Sequence, residues 1–226
     1  MTVVLCGSLG LSAEVWERQA AVLEGQATIF AEHPGHGGAP VTDVHQVGDL
    51  AAHVLQAVDG SFTFVGLSLG GAVGMRLALD VPERIDKLVL VCTSRRFGDP
   101  AQWSERAATV RERGLEAIVD AVLERWFTPS FADRARYRNR FLATDREGYA
   151  RCCDALATWD ARGALGEIRS PTLVVAGEED PSAPPEETAS IAGEIPGARH
   201  EVIAGARHLA PVEFADAFNP LLEEFL

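Results

Sequence analysis

The strongest chemical signal in this sequence is a serine flanked by glycines, Gly66-Leu67-Ser68-Leu69-Gly70-Gly71. The motif lies between an apolar run that predicts a strand and a stretch that predicts a helix, which is the setting in which Gly-x-Ser-x-Gly presents a nucleophile. Such a tight turn strains its corner residue and leaves no room for side chains two positions away. The alternative is an ordinary glycine-rich turn with a bystander serine. We predict that Ser68 is a catalytic nucleophile.

A nucleophilic serine needs a histidine base and a carboxylate that orients the base, and two later loops offer them. Glu178, Glu179 and Asp180 directly follow one predicted strand, and His208 follows the next. Serine, acid and histidine then occur in the order expected for such a sheet. Glu178 and Glu179 are rival acids, but we favour Asp180 because the loop must curl before a carboxylate can reach inward. The predicted triad is Ser68, Asp180 and His208.

Acyl transfer also needs backbone N–H donors for the oxyanion of the tetrahedral intermediate. The N–H of Leu69, directly after the nucleophile, is one candidate. The loop Gly7-Ser8-Leu9-Gly10 follows the first predicted strand, and its small residues let the backbone approach a substrate closely. We assign the second donor to Leu9, with Ser8 as the alternative.

The sequence positions of the other histidines indicate structural roles. His33 and His36 lie in a turn after the second predicted strand, which we expect to pack near the pocket and hold its geometry. His45, His53 and His200 are typical of helix faces or strand edges. No His, Asp and Glu trio has the spacing of metal ligands, so no metal is predicted.

Alternating strands and helices must position these residues. Apolar or β-branched runs predict strands at Thr2–Cys6, Thr28–Glu32, Phe62–Leu67, Lys87–Cys92, Thr172–Ala176 and Arg199–Ile203. Amphipathic stretches predict helices at Glu14–Leu23 with Ser12 as its cap, His45–Asp59, Leu69–Asp80, Pro185–Ala192 and Val212–Phe225. The alternation is typical of an α/β fold with a mostly parallel, twisted sheet flanked by helices.

The alternation stops between Pro100 and Leu165, where only helical periodicity remains. We therefore predict an α/β core formed by residues 1–99 and 166–226. Residues 100–165 are predicted to form an all-helical cap, or lid, inserted into that core.

Composition and charge exclude several classes of protein. The net charge of −13 repels phosphate backbones and argues against nucleic-acid binding. The chain has no apolar run of 18 residues and no recognisable signal peptide, so we expect a cytoplasmic protein without membrane contact. Its four cysteines are then expected to be reduced thiols. The charge is uneven, because residues 95–169 hold 14 arginines against 12 acidic residues and carry a net charge of +2.

Taken together, the motifs resemble those of the α/β-hydrolases, and within that superfamily those of the 3-oxoadipate enol-lactonases. The resemblance extends over nearly the whole chain. The matching stretches are Gly7-Ser8-Leu9-Gly10 with Trp16, Pro34-Gly35-His36-Gly37, Gly66 to Gly71, Glu124-Arg125-Trp126-Phe127-Thr128-Pro129, Tyr149-Ala150-Arg151-Cys152-Cys153, Gly177 to Pro185, and His208-Leu209-Ala210 through Phe218. The triad motifs are specific only to the superfamily, whereas the cap motifs and the doubled cysteine indicate the lactonases. The resemblance implies the same triad and no cofactor.

The resemblance also implies a substrate that carries a carboxylate, which an arginine-rich cap would attract. Arg125, Arg134, Arg138 and Arg151 are candidate contacts. The alternative, which we favour for most of them, is that these arginines lie on solvated helix faces beside acidic partners. Trp126 is either a pocket wall or a core residue of the cap.

One departure from the enol-lactonase family concerns the sheet. The family carries a β-hairpin before the strand predicted here at Thr2–Cys6. Without that hairpin, Thr28–Glu32 is expected to form an edge of the sheet.

The expected activity is that of a serine hydrolase acting on a small, anionic ester or lactone, with 3-oxoadipate enol-lactone as the favoured substrate. Ser8, Arg125 and Trp126 are the expected substrate contacts. The alternatives are a carboxylesterase for small esters and, on the same fold, a ligand receptor without catalytic activity. No partner other than the substrate is predicted, apart from a possible second copy of the chain.

Overall fold

The computed structural model describes all 226 residues and contains one six-stranded sheet in which every pair of neighbours is parallel. The strands are β1 Thr2–Cys6, β2 Ala27–Ala31, β3 Phe62–Leu67, β4 Ile85–Val91, β5 Thr172–Gly177 and β6 Arg199–Ile203. β3 and β5 are buried along their whole length, as is typical of central strands in a parallel sheet. The predicted α/β class is confirmed, and β2 lies at one edge.

Because all neighbouring strands are parallel, their carboxyl ends lie at one edge of the sheet, in the order β2-β1-β3-β4-β5-β6. At that edge Cys6 of β1 pairs with Gly66 of β3, and Gly177 of β5 pairs with Ile203 of β6. The loops that follow these strands therefore leave the sheet side by side, where open parallel sheets bind their ligands.

Nine α-helices connect and cover the strands. They are α1 Val47–Ala57, α2 Leu69–Asp80, α3 Pro100–Arg113, α4 Val119–Trp126, α5 Arg134–Leu142, α6 Arg146–Ala157, α7 Pro185–Glu194, α8 Ala210–Glu213 and α9 Ala215–Phe225. None of them combines the length and the apolar character that crossing a bilayer requires.

The helix expected at Glu14–Leu23 is wrong in type and extent. The chain forms a 3-10 helix over Ala13–Gln19, and the Ser12 side chain makes no capping hydrogen bond. The Glu32 carboxylate accepts the Ala13 N–H at 2.8 Å instead. A charged acceptor binds an N–H more strongly than a hydroxyl does, so a residue beyond β2 sets where this helix begins.

The final helix expected at Val212–Phe225 is interrupted, because Phe214 leaves helical geometry between α8 and α9. Distant segments hold α8 in place. The Gln19 side chain donates to the Pro211 carbonyl at 2.9 Å, and the Glu213 carboxylate accepts the Thr128 N–H at 2.9 Å. These tertiary contacts leave no signal in local helical periodicity.

The segment between β4 and β5 contains helices α3 to α6 and no strand. Helices α3 and α6 pack against each other, and Arg111 of α3 joins them by ion pairs to Glu147 at 2.9 Å and Asp154 at 2.7 Å. The division into a core of 1–99 and 166–226 and a cap of 100–165 stays a prediction.

Two histidines in the turn after β2 are buried in the fold. His33 Nε2 donates to the Gly7 carbonyl oxygen at 2.9 Å, and His36 Nε2 accepts the Gly10 N–H at 2.9 Å. Burial lowers the pKa of His33 to about 4, and burial together with the nearby His33 lowers the pKa of His36 to about 3. Both side chains are therefore neutral near pH 7.

We predict that wild type loses more stability than the His33→Gln variant when the pH falls from 7.5 to 5.5. The unfolded histidine takes up a proton near pH 6.5, whereas the folded one stays neutral down to about pH 4. Its contribution to the free energy of unfolding is therefore complete above pH 6.5 and declines below that value, by about 1 kcal/mol at pH 5.5. Urea unfolding at both pH values measures the difference, and equal losses in the two proteins would contradict it.

Candidate active site

The turn between β3 and α2 holds Ser68 in a left-handed backbone conformation with φ 57°. A side chain on Gly66 would overlap the Gly70 carbonyl, and a side chain on Gly70 would overlap the carbonyl of Cys6 at the end of β1. The first glycine is thus required by the turn itself and the second by the neighbouring strand. The Ser68 N–H donates to the Val91 carbonyl at 2.9 Å, which fastens the corner residue to β4.

Ser68, His208 and Asp180 lie together at the carboxyl edge of the sheet, and all three are buried. His208 Nδ1 lies 2.7 Å from Asp180 Oδ2, and His208 Nε2 lies 2.8 Å from Ser68 Oγ. An imidazole that donates its Nδ1–H to the carboxylate leaves Nε2 free to accept the serine hydroxyl proton. The arrangement can therefore activate the Ser68 oxygen as a nucleophile.

The loop after β5 separates Asp180 from the two neighbouring glutamates. The Glu178 carboxylate is exposed and accepts the Gly205 N–H at 2.8 Å, while Glu179 is exposed beside Arg207. Asp180 turns inward, and its Oδ1 accepts the Ser182 N–H at 2.8 Å while Oδ2 faces His208. Only this carboxylate reaches the imidazole.

Two of the residues predicted for the oxyanion hole line the same pocket as Ser68, and the third, Leu69, directly follows it in the chain. We call residues 7–10 the oxyanion loop, and its Ser8 and Leu9 are buried and line the pocket with Ser68. The N–H groups of Ser8 and Leu9 donate to no acceptor in the protein, so both remain free for a ligand. Leu69 is the first residue of α2, and first-turn N–H groups have no partner inside their helix. Unpaired donors thus gather near the serine hydroxyl.

A pocket of about 210 Å³ opens above Ser68 and His208. Its floor contains Ser68 and His208, and much of its wall comes from the helices between β4 and β5. These wall residues are Gln102, Trp103 and Arg106 of α3, Val122, Arg125 and Trp126 of α4, and Tyr149 of α6. Such a volume suits a small molecule rather than a polymer.

Most arginines of residues 95–169 are occupied away from the pocket. Several pair with carboxylates, in the pairs Arg95–Glu187, Arg111–Glu147, Arg136–Glu17, Arg138–Asp120, Arg140–Glu17, Arg151–Asp43 and Arg162–Asp160. Arg134 donates to the Thr128 carbonyl at 3.2 Å. For Arg134, Arg138 and Arg151 these contacts agree with the favoured alternative, in which the arginines lie on helix faces, because other groups of the protein hold these side chains outside the pocket.

Arg106 and Arg125 differ from these arginines, because both line the pocket and neither has a carboxylate within 4.0 Å. The Arg106 guanidinium lies 4.7 Å from the centre of the Trp103 ring. Burial and the like charge of Arg106 lower the pKa of Arg125. Two uncompensated cations on one wall favour an anion in the pocket.

Trp126 is both a wall of the pocket and a buried core residue. It lines the pocket, and it packs edge-on against Phe141 with ring centres 5.5 Å apart. Sequence reasoning missed Arg106, although its spacing of three residues from Trp103 puts both on one face of a helix. The sequence indicates Tyr149 only as part of a family motif, whereas the structure places it in the pocket wall.

Comparison with known proteins supports the same fold. A family model described as the alpha/beta hydrolase fold matches residues 2–215. The chain is 32% identical to 3-oxoadipate enol-lactonase 2 of Acinetobacter baylyi, over 98% of this chain and 86% of that protein. The crystal structure of the enol-lactonase from Burkholderia xenovorans LB400 has a TM-score of 0.94 at 34% identity, over 99% of this chain and 90% of that one.

A more distant structural relative is an esterase. The malate-bound structure of a thermophilic esterase from Thermogutta terrifontis has a TM-score of 0.92 at 25% identity, over 99% of this chain and 88% of that one. The family match extends over nearly all of the chain and agrees with its parallel sheet and its serine turn. The chain belongs to the α/β hydrolase fold family.

Proposed function

We propose that this protein is a serine hydrolase that cleaves a carboxylic ester or lactone through an acyl-enzyme, and that its substrate is 3-oxoadipate enol-lactone, opened to 3-oxoadipate. The observation that carries the proposal is the chain of contacts from Ser68 Oγ to His208 at 2.8 Å and from His208 to Asp180 at 2.7 Å. The similarity to two enol-lactonases supports the choice of substrate.

In the proposed first step, His208 removes the Ser68 hydroxyl proton as Oγ bonds to the lactone carbonyl carbon. The N–H groups of Leu69 and Leu9 stabilise the negative oxygen, and Asp180 orients the imidazole and stabilises its charged form. When the tetrahedral intermediate collapses, the ring C–O bond breaks and the ring oxygen becomes an enolate that stays attached to the acyl chain on Ser68. The enolate takes the proton from His208 and tautomerises to the ketone, which leaves an acyl ester on Ser68.

Water completes the cycle. His208 removes a proton from the water as its oxygen bonds to the acyl carbon, and the ester bond to Ser68 breaks as the serine oxygen takes that proton back. The product is the free carboxylate. A delocalised enolate leaves more readily than an alkoxide, so the first step demands less of the general acid than hydrolysis of an alkyl ester does.

Arg106 and Arg125 support an anionic substrate, because they are charged groups of the pocket wall without a carboxylate partner. The thermophilic esterase relative was crystallised with malate, a small dicarboxylate, which is consistent with that chemistry. Four free, buried cysteines support a reducing compartment such as the cytoplasm as the place of the reaction.

The second candidate function is a carboxylesterase that acts on small esters. The similarity to an esterase at 25% identity favours it, because the same three residues would cleave an acyclic ester.

We expect Ser68→Ala to lower kcat by about a thousandfold or more without unfolding the protein, because the nucleophile is lost. A fluorophosphonate should label Ser68 of wild type, which mass spectrometry of the modified peptide would detect. The exposed Ser61→Ala is the matched control and should keep full activity. Residual activity of one tenth in Ser68→Ala, which is about 1.4 kcal/mol of barrier, would rule out covalent catalysis by this residue.

The substrate is tested by steady-state kinetics on the enol-lactone beside p-nitrophenyl and alkyl esters of similar size. We expect kcat/KM for the lactone to exceed the ester values by about a hundredfold, because the enolate leaves readily and the pocket holds a carboxylate. Equal values would favour the carboxylesterase. Tight lactone binding without turnover would favour a receptor.

Arg106→Gln should raise KM for the anionic lactone about tenfold, because one charge-assisted hydrogen bond to the carboxylate is lost. The same variant should leave the kinetics of a neutral p-nitrophenyl ester nearly unchanged. Arg113→Gln removes the same charge from an exposed position on the same helix and serves as the control. A similar change on both substrates would show that Arg106 does not recognise the carboxylate.

A further inference from the structure

The Gly10 residue of the oxyanion loop is held from two sides. Its N–H donates to His36 Nε2 at 2.9 Å, and its carbonyl oxygen accepts the hydroxyl of Thr144 at 3.1 Å. Gly10 has φ 88°, and a Cβ built on it would lie 2.5 Å from the Phe141 ring. Only glycine therefore fits at this position. The two hydrogen bonds fix the orientation of the peptide groups on either side of it.

The protonation state of His36 is set by its surroundings. Its Nδ1–H donates to the Pro34 carbonyl at 3.0 Å, so Nε2 carries no proton and can accept the Gly10 N–H. The side chain is fully buried, which disfavours the charged form. The protein thus maintains a neutral imidazole with a single acceptor aimed at the oxyanion loop.

The other end of the oxyanion loop is held by a second histidine. His33 Nε2–H donates to the Gly7 carbonyl, which also accepts the Gly70 N–H at 3.1 Å. The rings of His33 and His36 meet edge to face with centres 5.5 Å apart. The two histidines therefore fix both ends of a four-residue loop whose middle residues, Ser8 and Leu9, line the pocket.

The turn that carries His36 is itself fixed by helix α6. The Asp145 N–H donates to the Gly35 carbonyl at 2.8 Å, and a Cβ on Gly148 would lie 2.7 Å from the Gly35 Cα. Only two facing glycines allow this approach. The start of α6 thus supports the turn, and the turn supports the oxyanion loop.

We infer that His36 is a positioning residue for the oxyanion hole and acts through its acceptor bond to the Gly10 N–H. The inference rests on the proposed function. Oxyanion donors work only when they lie about 3 Å from the oxygen that becomes negative, and losing one donor costs on the order of a hundredfold in kcat. Without an acceptor at His36, the Leu9–Gly10 peptide can rotate. The neighbouring Leu9 N–H is then no longer held toward the oxygen that becomes negative. His36 does not touch the substrate in this account.

Two substitutions separate the acceptor from the rest of the side chain. His36→Gln puts an amide oxygen near the position of Nε2 and keeps an acceptor for Gly10. His36→Asn keeps a donor near the position of Nδ1 for the Pro34 carbonyl but offers Gly10 nothing. We expect His36→Asn to lower kcat tenfold or more with KM within twofold of wild type, and His36→Gln to restore kcat to within threefold. The exposed His45→Asn is the control for the same change at a surface site.

A second pair of variants tests Gly10 from its carbonyl side, through the Gly10–Leu11 peptide, and does not disturb the buried histidine. Thr144→Val removes the donor to the Gly10 carbonyl, and Thr144→Ser keeps it. We expect the valine variant to lower kcat at unchanged KM and the serine variant to match wild type. Thermal unfolding of all variants separates these effects from loss of fold.

Hydrogen–deuterium exchange of a peptide that spans the oxyanion loop gives a readout that does not depend on activity. Exchange should be faster in His36→Asn than in His36→Gln or wild type. Unchanged kcat and unchanged exchange in a folded His36→Asn would overturn the inference, as would an equal loss of kcat in both His36 variants. If wild type and Ser68→Ala are equally inactive, the proposed function fails, and exchange alone then decides whether His36 holds the loop.

Discussion

The close approach of helix α2 to the end of β1 at Gly70 is the contact on which the site depends. Because no side chain separates Gly70 from Cys6, the Gly70 N–H reaches the Gly7 carbonyl, and the serine turn and the oxyanion loop form one packed unit. The left-handed backbone of Ser68 costs on the order of 1–3 kcal/mol and persists because hydrogen bonds fasten it, among them one from Thr93 Oγ1 to its carbonyl. The fold thus offsets the strain that exposes the hydroxyl to the imidazole.

The distribution of charge around the site follows from burial. Asp180 is buried, and its two oxygens accept hydrogen bonds from His208 and Ser182, so neither oxygen lacks a partner. His33 and His36 avoid the cost of a buried charge by staying neutral. The uncompensated cations of the pocket lie on its wall, in a protein whose net charge is −13. This contrast supports the proposal that the pocket binds a small anion.

The helices between β4 and β5 cover the site and also hold parts of it in place. Thr144 bonds to the oxyanion loop, and the Trp126 carbonyl accepts the N–H of Leu209, next to His208. The positions of the oxyanion loop and of the segment that carries His208 are therefore tied to the same helices that supply the pocket wall. In the proposed mechanism, catalysis and substrate recognition therefore share one set of packing contacts.

By itself the sequence determined the parallel α/β fold and proposed the three residues that meet at the carboxyl edge, because strand periodicity, turn glycines and chain order are local signals. Only the tertiary structure showed that Glu178 and Glu179 face solvent, that Glu32 replaces Ser12 at the first helix, and that Arg106 lines the pocket. These outcomes depend on partners far away in the chain. The direction of a side chain, and whether a charge finds a counterion, is decided when distant segments pack, which no local pattern records.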